Sequence, residues 1–132
     1  MIQRIHHIGM VFGIEEGVKL FSNLFGFRTV ETHIDINGEF KSCTLRVNEA
    51  ALELLEPVGP VGPIQKFLQK RGSGLHHLSL EVDDIHKETE AFRRKGVRLI
   101  HTEPEIVGES KVIFLHPNST GGVLIELLQR LP

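Results

Sequence analysis

Four side chains in this 132-residue sequence, His7, Glu53, His77 and Glu126, have types and spacing that suit one chemistry. Two imidazoles and two carboxylates can grip a single divalent cation and move a proton beside it. They come in pairs. Residues 5 to 12 read IHHIGMVF and residues 75 to 82 read LHHLSLEV, each an apolar residue, a histidine pair and then an alternating run. The second histidine of each pair precedes a glycine, Gly26 or Gly96, by the same 19 residues, and a later glutamate by 46 or 49. ALELLEP at 51 to 57 and VLIELLQ at 123 to 129 close the two halves alike.

Strand alternation decides which histidine of each pair faces which way. Leu78, Leu80 and Val82 share parity with His76 and form an apolar face, whereas His77, Ser79 and Glu81 share the other. In the first half Ile8, Met10 and Phe12 go with His6, while His7 goes with Gly9 and Val11. Glu53 lies with Ala51 and Leu55, and Glu126 with Leu124 and Leu128, each a charge within an otherwise apolar strand. A carboxylate among buried apolar neighbours is costly without a compensating cation. Taken singly, a histidine beside a strand is ordinarily exposed or hydrogen-bonded, and a strand glutamate ordinarily faces solvent or pairs with Lys or Arg. The same residue types, on the same parity, at matched spacing in both halves favour a shared metal over those readings.

The elements that must position these residues read as strand, helix, strand, strand, strand in each half. In the first helix Ile14, Val18, Phe21 and Phe25 recur on one face, and Gly26 stops it. In the second, Asp84 is the expected N-cap, Ile85 and Phe92 are apolar anchors, Arg93, Arg94 and Lys95 suit the negative helix end, and Gly96 closes it. After Gly26 a strand-forming run reaches Ile36, followed by an Asn37-Gly38 turn, a second run to about Val47, a short turn near Asn48 and a strand ending at Glu56. In the second half a strand from Val97 precedes a loop around Pro104 and Gly108, then SKVIFLH, a turn at PNSTGG and a final strand. PVGPVGP at 57 to 63 reads as a linker and IQKFLQKRG as a short helix. The expectation is one α+β domain over residues 1–132: module 1 about 1–57, linker and helix 58–73, module 2 about 74–132, two pseudo-symmetric βαβββ modules.

Composition sets the remaining bounds. A chain of this length buries roughly 65 to 70 per cent of its unfolded surface, so a core forms without staples. The single cysteine, Cys43, cannot form an intramolecular bridge, which points to a reducing compartment. The start, MIQRIHHIGM, lacks a signal-peptide apolar region, and no apolar run approaches the about 18 residues that span a bilayer. A soluble, cytoplasmic protein without a membrane partner is expected. Fifteen basic and seventeen acidic residues, with no long single-sign run, argue against a nucleic-acid partner. Gly72-Ser73-Gly74 precedes a strand rather than a helix and reads as a connector, not a phosphate loop. His116 and Ser119 sit in a turn that either borders a cavity or is only a turn. Lys66, Lys70 and Arg71 suit a CoA phosphate or merely a solvated helix face. His33, His86 and His101 have no counterpart in the other half.

IHHIGMVF, the ELLEP ending at Pro57, GLHHLSLEVDDI at 74 to 85 and HPNSTGGVLIEL at 116 to 127 together resemble the vicinal oxygen chelate superfamily, the glyoxalase and bleomycin-resistance fold. Within it they look most like the methylmalonyl-CoA epimerase family, and the likeness covers essentially the whole chain. The resemblance implies paired βαβββ modules forming a cup-like mixed sheet around one divalent metal, with ligands at His7, Glu53, His77 and Glu126. Two departures stand out. That family's epimerases can carry Gln at the position of Glu53, and some use a further Glu on the preceding strand as a base. Here that strand, FKSCTLRV at 40 to 47, has no carboxylate, so Glu53 and Glu126 would serve the two faces of the carbon, as in glyoxalase I.

The implied cofactor is one divalent ion, with cobalt, manganese, nickel, zinc and iron(II) all compatible with the donors. Such an ion polarises a carbonyl and stabilises the enolate formed when the neighbouring C–H proton leaves. The expected activity is an isomerase epimerising a 2-acyl-CoA thioester such as methylmalonyl-CoA, with Glu126 and Glu53 as proton carriers and a homodimer as the assembly. The alternatives are a glyoxalase I-type lyase acting on a thiohemiacetal and a non-enzymatic small-molecule-binding module. An iron(II) ring-cleaving dioxygenase needs two histidines and one carboxylate, and the extra Glu53 argues against it.

Overall fold

The computed structural model describes residues 1–34 and 38–132. Contacts divide the chain into two compact units, His7–His76 and Met1–His6 together with His77–Pro132, with the division falling inside the first and fifth strands. Each unit combines helix with a four-stranded mixed sheet, the α+β class and the βαβββ order expected of both halves. No helix among the described residues is long and apolar enough to cross a membrane.

In the first half the strands are β1 (Ile2–Val11), β2 (Arg28–Ile34), β3 (Phe40–Val47) and β4 (Ala50–Pro57), in the order β2-β3-β4-β1. Ile8–Val11 of β1 run parallel to Leu52–Leu55 of β4, and β3 is antiparallel to both β2 and β4. The expected turn after Val47 is present, with Asn48 at a φ of 51°. The expected Asn37-Gly38 turn and the end of the run at Ile36 fall at or beside residues 35–37, outside the described residues.

Helix α1 (Ile14–Gly17) rests on the sheet because Gly17 has no side chain: a Cβ there would lie 2.3 Å from Cδ1 of Leu54. Residues Val18–Leu24 then widen into a π-helix, and the Phe25 N–H donates to the Leu20 carbonyl five residues back, at 3.2 Å. This corrects the expected continuous α-helix. Ile14, Val18 and Phe21 pack on Cys43, Leu45 and Leu54 as expected, but the wider turn swings Phe25 off that face, leaving it 59% exposed. Phe27 takes its place, 5.7 Å from the Phe21 ring and edge-on to it. Gly26, at a φ of 81°, makes the return possible, since the Phe27 N–H donates back to the Phe21 carbonyl. Helix α2 (Pro63–Arg71) follows the Pro/Gly linker and buries Ile64 against Val11 and Leu55.

The second half repeats this plan with β5 (Gly74–Val82), β6 (Glu105–Val107), β7 (Ser110–Leu115) and β8 (Ile125–Arg130), in the order β5-β8-β7-β6. Again the first strand is parallel to the last, and the last three form an antiparallel meander. Helix α3 (Ile85–Arg94) starts at Asp84, whose side chain accepts from the Lys87 N–H, and ends before Gly96, whose φ of 81° equals that of Gly26. Its Ile85 and Phe92 pack on Val82, Ile113, Leu115 and Leu127. Asp84→Ala should lower stability by about 1 kcal/mol through the lost cap, read by urea unfolding. The expected strand from Val97 shrinks to one bridge, Leu99 with Leu115, held by backbone bonds from Ile100 to Phe114 and from His116 to Arg98. The segment leaves the ladder before Pro104, which has no N–H to extend it, and the edge strand forms instead at β6, inside the expected loop.

Candidate active site

Each half supplies one imidazole and one carboxylate from strands that lie side by side. In the unit His7–His76, the β1–β4 register sets Gly9 against Glu53, so the odd-numbered face of β1 and Glu53 share one side. The His7 Nε2 lies 3.8 Å from Oε1 of Glu53, with the His7 side chain 9% and the Glu53 side chain 28% exposed. In the other unit, β5 and β8 set Ser79 against Glu126, two residues beyond His77. One donor atom of His77 and one carboxylate oxygen of Glu126 lie within 4.8 Å of each other, and both residues are buried. The expected parity holds: His77, Ser79 and Glu81 are all buried on one face of β5, while Leu80 and Val82 join the apolar cluster beneath α3.

Neighbouring side chains hold these groups in place. The Phe114 ring, on β7 across from Glu126, meets the His77 imidazole edge-on at 5.9 Å and fixes its plane. Glu81 has a different task, because the Arg4 Nε and the Arg130 Nε donate to its two oxygens at 2.6 and 2.7 Å. Burial pushes the Glu81 carboxyl up, but the two arginines outweigh it and hold it below the usual range. That carboxylate is a structural anion bordering a cavity of about 590 Å³ shared with Gln3, His6, Asp83 and Arg130. His76 faces the other side of β5, against the Phe67 ring at 5.1 Å, and burial, with Arg71 nearby, lowers its pKa.

Glu53 behaves as a carboxyl partly withdrawn from water. Burial first, and the Glu31 charge second, raise its pKa to about 7. Glu31 is a residue the sequence reading missed. It lies in register with Thr44, and Thr44 with Glu53, so the three stand in a row across β2, β3 and β4. No periodicity marks it, because a bulge between Thr29 and Glu31 resets the alternation of β2. A carboxyl whose folded pKa lies above its unfolded value keeps its proton in the folded state while the unfolded chain releases it. In metal-free protein the contribution of Glu53 to stability should therefore fall as pH rises from about 4.5 to 7, and Glu53→Gln should gain roughly 2 kcal/mol relative to wild type between pH 4.5 and pH 8. Urea midpoints at pH 4.5 and pH 8 measure it.

Several of the other residues weighed from sequence have local structural tasks. The His116 Nδ1 accepts from the Asn118 N–H, and the Ser119 hydroxyl oxygen accepts from the Arg98 N–H, so both tie down the turn before β8. Arg71 lies over the Phe67 ring at 5.7 Å, while Lys66 and Lys70 are exposed on α2. Cys43 is a buried free thiol, and burial pushes its pKa up. The donor set of imidazole nitrogens and carboxylate oxygens fits a divalent ion of intermediate hardness.

Residues 6–115 match the model of the Glyoxalase/Bleomycin resistance protein/Dioxygenase superfamily. The mitochondrial methylmalonyl-CoA epimerase of Dictyostelium discoideum is 35% identical over 132 residues, spanning 98% of this chain and 80% of that protein. The ethylmalonyl-CoA/methylmalonyl-CoA epimerase of Cereibacter sphaeroides is 31% identical over 133 residues, spanning 98% of this chain and 99% of that one. Among solved structures, a variant methylmalonyl-CoA epimerase of Streptomyces coelicolor in complex with 2-nitronate-propionyl-CoA superimposes with a TM-score of 0.91 at 28% identity, covering 100% of both chains.

Proposed function

Because the chain belongs to the Glyoxalase/Bleomycin resistance protein/Dioxygenase superfamily, and within it to the methylmalonyl-CoA epimerases, we propose that it epimerises methylmalonyl-CoA or a close 2-acyl-CoA with one divalent ion held by His7, Glu53, His77 and Glu126. What supports this reading is a matched pair of donors in each half: one donor atom of His77 and one carboxylate oxygen of Glu126 lie within 4.8 Å of each other. In the other half the His7 Nε2 lies 3.8 Å from Oε1 of Glu53. The repeat supports the set, since each module, about 1–57 and about 74–132, contributes one histidine and one glutamate at matching places.

A divalent ion there supplies a Lewis acid for the thioester carbonyl, which lowers the cost of removing the adjacent C–H proton. The work of the side chains is proton traffic. The Glu126 carboxylate accepts the proton from one face of the α-carbon, the electron pair passing into the carbonyl, and the Glu53 carboxyl returns a proton to the opposite face. β3 carries no carboxylate, which leaves these two glutamates as the carriers.

That same pair favours a second reading, a lyase acting on a thiohemiacetal by proton transfer. Incubation of metal-loaded protein with methylmalonyl-CoA in deuterated water tests the choice. Deuterium at the α-carbon is expected. Absence of exchange, with turnover of a methylglyoxal–thiol adduct, would replace the epimerase by the lyase, and tight binding without either reaction would leave a binding module. We read the working form as a homodimer in the cytoplasm, supported by the exposed edge strand β6 and by the free thiol of Cys43.

A further inference from the structure

Ser79 has no exposed surface, yet among the described residues its Oγ has no hydrogen-bond partner. A hydroxyl taken out of water and left without a partner is destabilising, and native proteins seldom keep one unless something other than the polypeptide satisfies it. The residues on either side of it on the same face of β5 have tasks the structure explains: His77 packs edge-on to Phe114, and Glu81 takes both arginines. Packing gives no reason for the hydroxyl, since alanine would fill nearly the same space without the cost. Its position gives one. Ser79 stands on the face of His77, directly across the β5–β8 register from Glu126.

We propose that Ser79 is a substrate-binding residue whose hydroxyl donates a hydrogen bond to an acceptor oxygen of the acyl group, its carboxylate or its thioester carbonyl. The inference rests on the epimerase reading above. Beside the reacting carbon such a substrate presents acceptor oxygens and no donors. A neutral donor fixed on a strand complements them and adds no second charge next to Glu126. The hydroxyl is covered in this structure, so contact requires the small side chain to turn to another χ1 rotamer, which carries the Oγ–H toward the approaching oxygen.

The test compares wild type with Ser79→Ala, using metal-loaded protein and 2-nitronate-propionyl-CoA as the probe in calorimetry. The variant should bind the probe about tenfold more weakly, the share expected of one lost hydrogen bond to a charged acceptor. Its KM for methylmalonyl-CoA should rise in step. Without ligand or metal its melting temperature should rise by a few degrees, because an unsatisfied buried hydroxyl has been removed. Probe affinity within twofold of wild type would overturn the inference, and so would a lower melting temperature in the metal-free variant, which would reveal an internal partner. Exchange of the α-proton by wild type runs alongside. If wild type exchanges and Ser79→Ala matches it in affinity, only the Ser79 inference fails; if wild type does not exchange, the epimerase reading fails and takes this inference with it.

Discussion

Glu126→Gln is expected to lower the rate of α-proton exchange by about 10³-fold, the size of a lost general base in a positioned site. Glutamine keeps the shape of the side chain and an oxygen that can still face a cation, so metal should remain bound, although more weakly. The residue is buried on β8, in register with Ser79 on one side and Phe114 on the other, and substitution by an isostere should leave the strand pairing intact. Deuterium incorporation followed by mass spectrometry, with metal content measured on the same sample, separates loss of chemistry from loss of metal. Full exchange activity in the variant would remove Glu126 from the reaction.

The second large effect concerns the imidazoles. His77→Ala should weaken divalent-metal affinity by at least about 10²-fold, more than is lost when a supporting partner of a ligand is removed. Metal at 100 times its Kd should stabilise wild type by about 2.7 kcal/mol, and at that concentration the variant should gain almost nothing. His7→Ala should behave alike, because the two histidines occupy matching places in the repeat. His76→Ala is the control. Its ring packs on Phe67 on the opposite face of β5, so it should lose packing stability and keep its metal. An equal loss of metal affinity in all three variants would indicate general disruption of the strands.

The repeat makes much of this legible in the sequence alone. Alternation through His76–Val82 placed His77, Ser79 and Glu81 on one face, and the buried pattern of β5 agrees. Asp84 and Gly96 bracket α3 as cap chemistry requires. Local patterns failed where the backbone changed its period. The π-helical turn moved Phe25 into solvent, and the bulge in β2 hid Glu31 from a count of alternating residues. Glu81 shows a further limit. From sequence it is a strand carboxylate much like Glu126, and only the folded chain reveals that Arg4, 77 residues away in sequence, and Arg130 already neutralise it. The orphan hydroxyl of Ser79 is equally invisible in sequence, because satisfaction of a hydrogen bond belongs to the assembled structure.

Anomalous diffraction from crystals grown with cobalt or manganese addresses the metal centre directly. One anomalous peak per chain is expected, about 2.0 to 2.3 Å from a nitrogen of His7, a nitrogen of His77 and carboxylate oxygens of Glu53 and Glu126. A peak elsewhere, or no peak from protein that still exchanges the α-proton after exhaustive chelation, would contradict it.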